Sequence, residues 1–504
     1  MATKRLNPLD WTFLAAETRE SMMHVGSMMP FSAPADAEPG ALSALMEQLR
    51  SEPQVQPPWN LKLKYPGFLA HPLQGWVVDD SFDVDYHIRH SALPEPGDER
   101  ALGVLVSRLH SHSIDFHRPP WEVHLIEGLE GGRFALYFKV HHSLIDGYTG
   151  IRLMSRSLSR SPEERDAPMF FAAPPQAQRA ASGDTKQPIL ESLMQGLRQQ
   201  LGTSRSITRA VAGSFQSGHP ERVAPMQAPK SIINQPISRN RRFATQEFDI
   251  ARLKAVARAH GGTLNDVVLA ISAGAMRRLL AEQKALPAKP MTAMVPVNIR
   301  PKDDPGGGNA VGAVLASLAT DVADPYKRIN AIIASTRSAK EQLQGMTRNG
   351  IMQYSALLMS PLLLSQLPGA VGHVRPAFNV VISNVPGPPE PLYFRGWRMD
   401  AYYPISIPFH GYGLNITVVS YVDKLDFGFI GCRDSVPHLQ RLAVYAVDAL
   451  TELEGRKAPP PATKAAPRKA AKKAGVKKAA AKKASAKKGA GTKRAAKKAG
   501  SKRE

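Results

Sequence analysis

The chain has 504 residues, with 65 Lys and Arg against 43 Asp and Glu, a formal charge of +22 and a single cysteine. Its length exceeds one ordinary small domain, and a 43% hydrophobic, 7% aromatic composition supplies enough apolar surface for sizeable cores, which excludes a wholly disordered chain. The lone Cys432 excludes an intramolecular disulfide, a zinc ribbon and a CxxC redox motif, so the cytoplasm is the expected compartment.

The amino terminus, Met1 to Asp10, has neither an apolar h-region nor a small-residue cleavage site, so no secretory signal is expected. Residues 1–160 form a first ordered region. Within it, Trp121 to Glu127 and Arg133 to Val140 are short apolar-rich runs separated by a Gly-containing stretch, Gly128 to Gly132, which predicts a hairpin. Phe134, Leu136, Phe138 and Val140 alternate with Ala135, Tyr137 and Lys139, so one face of the second strand is expected to be buried. Residues 161–242 turn polar and irregular, apart from a weakly amphipathic helix near Ile189 to Ala212, and read as a linker or crossover.

A second ordered region spans 243–455. Its periodicity predicts a helix from Thr263 to Gln283 and strands at Met291 to Asn298, Val311 to Val322 and Asn379 to Val385. A hairpin follows, Leu414 to Tyr421 and Leu425 to Gly431 turning at Asp423-Lys424, and a helix from Pro437 to Glu454 closes the region. Helices and strands alternating in two halves imply a two-domain α/β (α+β) architecture. The uncharged stretch between Arg348 and Arg375 is long enough to suggest a membrane span, but Pro361, Pro368 and several Gln and Ser residues interrupt it. A helix lining an apolar cavity or touching a membrane surface fits it better, and a buried core helix is the plain alternative.

Residues 456–504 hold 19 Lys and Arg against one acid, a charge of +18 that leaves +4 for the remainder of the chain. Lys pairs recur among Ala and Gly, and three prolines, Pro459 to Pro461, stand near the start; no core can form from this composition, so a disordered basic tail is expected. Such a tail is a solvated tether at its plainest. Its charge also suits an anionic membrane or lipid inclusion, or nucleic acid phosphates, although the absence of aromatic residues argues against base stacking.

The chemistry concentrates at His141-His142-Ser143-Leu144-Ile145-Asp146-Gly147, where a strand gives way to a helix. Adjacent residues on a strand point to opposite faces, so one histidine can meet a cavity as a base while the other packs internally. A bare His-His pair followed by an Asp-Gly turn is often no more than loop. The seven-residue pattern HHxxxDG resembles the signature of the CoA-dependent acyltransferase superfamily.

Other segments narrow the resemblance to the bacterial wax ester synthase/diacylglycerol acyltransferase family: Leu6 to Asp10, Met23 to Gly26, Phe82 to Arg89, Ala92 to Gly97, Arg118 to Glu122, Asn265-Asp266, Pro296 to Arg300, Gly308-Asn309, Ser383 to Pro388 and Leu414 to Thr417. One departure is that the family's Pro-Leu-Trp is Pro119-Pro120-Trp121 here. The resemblance implies two chloramphenicol-acetyltransferase-like domains, each a mixed sheet flanked by helices, with the active-site tunnel between them. It also implies transfer of a long acyl group from acyl-CoA, a substrate rather than a cofactor, to diacylglycerol or a fatty alcohol, with no metal. An acyltransferase-fold relative with another acceptor, and a lipid-body or nucleic-acid-binding protein, are the alternatives.

By the same resemblance His142 is the general base and His141 its support. Asp146 and Gly147 shape the turn, with Arg300 as the partner of Asp146. Asn265 and Asp266 are secondary: Thr263-Leu-Asn-Asp266 also matches a helix capping box, which accounts for the acid without chemistry. Asn384 is a candidate oxyanion donor, with Asn415 and Thr417 behind it. The expected setting is the cytoplasm, peripheral to a membrane or lipid inclusion.

Overall fold

The computed structural model describes residues 4–173 (except 7, 35, 39 and 52–54), 223–298, 311–344 and 376–455, together with 346, 350, 351, 354, 355, 357 and 358. In chain order the first part comprises β1 (Lys4–Arg5), α1 (Pro8–Ala16), β2 (His24–Ser32), α2 (Ala41–Arg50), β3 (Leu61–Leu63), β4 (Gly75–Val78), α3 (Val84–His87), β5 (Ile88–Ala92), α4 (Glu99–His110), β6 (Trp121–Leu129), β7 (Arg133–His141) and α5 (Gly147–Met154). The second comprises β8 (Arg241–Asp249), α6 (Ile250–Ala259), α7 (Leu264–Glu282), β9 (Thr292–Asn298), β10 (Val311–Ser317), α8 (Pro325–Gln344) and β11 (Val380–Val385). The last elements are β12 (Tyr393–Phe394), β13 (Trp397–Met399), β14 (Tyr403–Ile405), β15 (Leu414–Tyr421), β16 (Lys424–Cys432) and α9 (Arg441–Glu454).

Two mixed sheets organise these elements. One has the order β12-β13-β2-β7-β6-β5, with β14 also pairing β2; the other has the order β10-β9-β11-β15-β16-β8. A small sheet, β1-β4-β3, stands beside them. The expected β6–β7 hairpin forms in antiparallel register, Trp121 opposite Val140 and Val123 opposite Phe138, with a register shift between Ile126 and Leu129. In the second sheet β11 runs parallel to β15, and β15 antiparallel to β16.

The second core forms because α7 is apolar nearly all round: Val267 to Ala273, Ala275, Met276, Leu279 and Leu280 are all buried. A helix of that composition must be enclosed, and it lies among Ile332 of α8, Leu442 and Leu450 of α9, and one face of the sheet through Val380, Ile382, Leu414, Ile416 and Val418. The opposite face of the same sheet turns toward the first half.

Several expected boundaries differ. The strand predicted to reach Val322 stops at Ser317. The closing helix starts at Arg441 rather than Pro437. The last hairpin turns at Val422-Asp423, with Val422 in the left-handed region at φ 53°. Residues 393–405, read with the second half of the chain, instead cross over to pair with β2 in the first sheet: Met399 lies opposite Phe31 and Ile405 opposite Gly26. The helix near 189–212, most of the uncharged 349–374 stretch, Arg300 and the basic tail lie outside the described residues. Among the described residues no helix is long and apolar enough to cross a membrane.

Candidate active site

β7 delivers the histidine pair to the seam between the halves. Its antiparallel partners, β2 and β6, fix the strand on both sides, with His24 opposite His141. The His141 amide donates to the Pro120 carbonyl at 2.9 Å, and the His142 amide donates to the Met23 carbonyl at 2.9 Å. These bonds need only a carbonyl, so the second proline of Pro119-Pro120-Trp121 costs nothing at that contact. Strand pairing thus extends one residue past β7 and holds both backbones.

The two rings then meet different surroundings. His141 is buried, its ring edge-on to Phe116 with centroids 5.1 Å apart. Its Nδ1 accepts the Ser143 amide at 3.2 Å and lies 2.6 Å from the Ser143 hydroxyl. Its Nε2 lies 3.5 Å from a carboxylate oxygen of Glu17. His142 is half-buried and stacks on Phe13, centroids 4.2 Å apart and planes 20° from parallel. Burial pulls the His142 imidazole below its ordinary pKa of 6.5; the Asp146 carboxylate and the residue's own backbone pull it up, and His141 lowers it again.

Asp146 is the N-cap of α5. One of its carboxylate oxygens accepts the Thr149 amide at 2.9 Å, and the other accepts the Thr149 hydroxyl at 2.8 Å. Its expected partner Arg300 lies outside the described residues. Gly147 opens the helix in free space: a Cβ there would meet nothing within 4 Å.

At the start of α7 the capping box closes. Asp266 is buried and accepts the Thr263 amide at 2.7 Å, the Thr263 hydroxyl at 2.8 Å and the Thr336 hydroxyl at 2.6 Å. Asn265 accepts the side-chain amide of Asn384 at 2.6 Å, so the Asn-Asp pair and the Ser383 to Pro388 segment are brought together. Asn384 shares the α7-facing side of β11 with Val380 and Ile382, whereas Ser383 falls on the opposite side with Val381 and Val385. Register puts Asn415 beside Val381 and Thr417 beside Ser383 on that opposite face, and Thr417 donates to Asn415 at 2.9 Å. Beyond β11 the chain packs on β15 so closely that a Cβ on Gly387 would lie 2.2 Å from the Ser420 carbonyl oxygen.

Other family-resembling segments build the scaffold of β6. Arg118 donates to Asp83 at 2.9 Å, His87 Nδ1 lies 2.8 Å from the Trp121 carbonyl oxygen, and Glu122 pairs with the buried Lys139 at 3.1 Å and with Arg89 at 3.4 Å. Burial pushes the Glu122 carboxyl up, but His124, Lys139 and Arg89 outweigh it and hold it at about 2. Phe13 belongs to an apolar cluster with Met294, Leu315, Tyr354, Leu358 and Phe378, drawn from both halves. Nothing in the spacing of the sequence marks Phe13 or Glu17, because their contacts with the histidines exist only once α1 is laid against the end of β7. Among the described residues no group of three or more metal-ligating side chains is placed to hold an ion.

This constellation can be compared with known proteins. Residues 6–268 match the profile of the wax ester synthase/diacylglycerol acyltransferase catalytic domain, and residues 307–454 that of the family's C-terminal domain. The chain belongs to the wax ester synthase/diacylglycerol acyltransferase family. It is an acyltransferase. A Mycobacterium tuberculosis relative, whose name provisionally assigns it to the diacylglycerol O-acyltransferases, is 49% identical over 485 residues, covering 89% of this chain and 97% of its own. The O-acyltransferase WSD of Acinetobacter baylyi is 39% identical, with coverage of 89% and 97%.

The solved wax ester synthase/diacylglycerol acyltransferase of Marinobacter aquaeolei superposes with a TM-score of 0.71 at 38% identity, covering 90% of this acyltransferase and 98% of that chain. A condensation domain of the calcium-dependent antibiotic synthetase, at 17% identity and a TM-score of 0.55, shares the fold.

Proposed function

We propose that this acyltransferase moves a long-chain acyl group from acyl-CoA to diacylglycerol or a long-chain alcohol, with His142 as general base. The observation that carries this is the His142 ring: half-buried, stacked on Phe13 at the edge of an apolar cluster, with its Nδ1 buried against its own backbone. Nδ1 is buried and makes no hydrogen bond, which leaves Nε2 as the nitrogen to meet the alcohol. An alcohol is too weakly acidic to attack a thioester unaided at neutral pH, so the base takes its proton as oxygen bonds to the acyl carbonyl carbon. The tetrahedral intermediate then collapses with cleavage of the C–S bond, and the imidazolium returns its proton to the departing CoA thiolate.

Transfer is direct between two bound substrates. Cys432, the only cysteine of the chain, is buried in β16 with its sulfur 3.6 Å from the Ser238 hydroxyl and lies outside the histidine motif. Sharing a sheet face with the cluster that contains Phe13 favours Asn415, whose side-chain carbonyl accepts the Thr417 hydroxyl, over Asn384 as the donor to the oxyanion. Asp146, capping α5, holds the motif's geometry. The names of the relatives, wax ester synthase and diacylglycerol O-acyltransferase, supply the acceptor classes.

The test is esterification of hexadecanol and of diacylglycerol by purified protein with labelled palmitoyl-CoA. Wild type forms at least one ester, and His142→Ala loses about 10²- to 10⁴-fold in rate. Absence of both esters from wild type, or an active His142→Ala variant, refutes the assignment.

A further inference from the structure

Glu17, one residue beyond α1, has a buried carboxylate, its side chain 6% exposed, and lies in none of the segments that carry the family resemblance. A buried carboxylate is costly without partners, so its contacts have a reason. One oxygen accepts the Met23 amide. The same oxygen lies 3.5 Å from His141 Nε2, an atom that is itself buried and makes no hydrogen bond. The Met23 backbone carries the connection onward, since the Met23 carbonyl accepts the His142 amide at 2.9 Å. Across the seam, the guanidinium of Arg241 in β8 donates to the Glu20 carbonyl, which ties the segment that follows Glu17 to the second half.

The tautomer of His141 follows from its other nitrogen. Nδ1 accepts the Ser143 backbone N–H, so it holds a lone pair there, and the proton of the neutral ring sits on Nε2, facing Glu17.

We infer that Glu17 is a positioning residue: it holds His141 as the Nε2–H tautomer and, through the Met23 backbone, fixes the backbone from which His142 reaches the substrates. The inference rests on His142 being the base, but its spectroscopic half does not. A carboxylate that orients an imidazole and selects its tautomer lowers the reorganisation the site must undergo during proton transfer.

Two measurements on the full-length protein decide it. In protein labelled with ¹⁵N-histidine and free of substrate, the His141 resonances, assigned by loss in His141→Asn, show Nε2 protonated and Nδ1 bare, and Glu17→Gln shifts the Nε2–H signal. With palmitoyl-CoA and the preferred acceptor, Glu17→Gln lowers kcat by about 10- to 100-fold, the size of effect seen when the carboxylate partner of a metal-ligating histidine is removed. KM values and the melting temperature stay close to wild type, because the amide oxygen still accepts the Met23 N–H. A wild-type His141 protonated on Nδ1, an unmoved Nε2–H signal, or an undiminished kcat each overturns the inference. Should the variant not fold, the wild-type spectrum alone still decides the tautomer. An active His142→Ala variant instead overturns the assignment of the base.

Discussion

Two adjacent histidines with the same chemistry are given separate tasks by their neighbours. His141 is enclosed by Ser143, Glu17 and Phe116, while His142 is held by its backbone and presents its ring along Phe13. The pair and the turn were legible in the residues themselves, because HHxxxDG is a local pattern. Phe13 and Glu17 were not, because they are more than a hundred positions away and reach the pair only through folding. Desolvation disfavours the charged imidazolium, so His142 titrates below 6.5. A base works in its neutral form, so kcat/KM should rise with pH through an apparent pKa below 6.5 and stay level across neutrality. In Asp146→Asn the nearby negative charge is gone, and the rising limb should move to lower pH. A pH–rate profile measures both; a wild-type limb at or above 6.5 contradicts the origin of the shift.

Among the elements, those with strong local signals were readable. The β6–β7 hairpin was marked by alternation and glycines, and the start of α7 by the capping box from Thr263 to Asp266. The crossover of β12 to β14 was not, because short strands pairing with a partner hundreds of residues away carry no periodic signature. What seats it is chemistry at its end. The Tyr402 amide donates to Asp426 at 2.7 Å, and a Cβ on Gly428 would come within 1.8 Å of the Pro404 carbonyl oxygen. Asp426 is fully buried and its other oxygen lacks a partner.

Burial raises the Asp426 carboxyl from 3.8 to about 7, against the opposing pull of the Tyr402 amide. The folded state therefore holds this proton more tightly than the unfolded chain. Its contribution to stability is complete below the unfolded pKa and is lost as pH rises to the folded one. Asp426→Asn, which cannot ionise, should gain melting temperature relative to wild type at about pH 8, and the gain should shrink toward about pH 5. Thermal denaturation at the two pH values checks it, and a difference independent of pH rules out the buried proton.

At the scale of the whole molecule, charge is segregated along the chain: residues 456–504 carry +18 of the +22. Lysines near an anionic lipid surface are worth about 1 kcal/mol each before screening, so the tail is proposed to bring the enzyme to the water-insoluble acceptor. Removing residues 456–504 should abolish salt-sensitive binding to vesicles rich in anionic lipid while leaving kcat on dispersed short-chain substrates unchanged. Vesicle co-sedimentation with and without the tail measures this, and equal binding by both forms disproves it.

The sequence by itself determined the family, the location of the histidine pair, the capped start of α7 and the separation of a basic tail from a nearly balanced body. Each of these is written in neighbouring residues or in composition. Only the tertiary structure decided which face of β11 and β15 each polar residue occupies, and which side chains touch His141 and His142. It also decided that residues 393–405 complete the first sheet. Those outcomes depend on strand register and on packing between distant segments, where a shift of one residue reverses every side chain, and no local pattern records that choice.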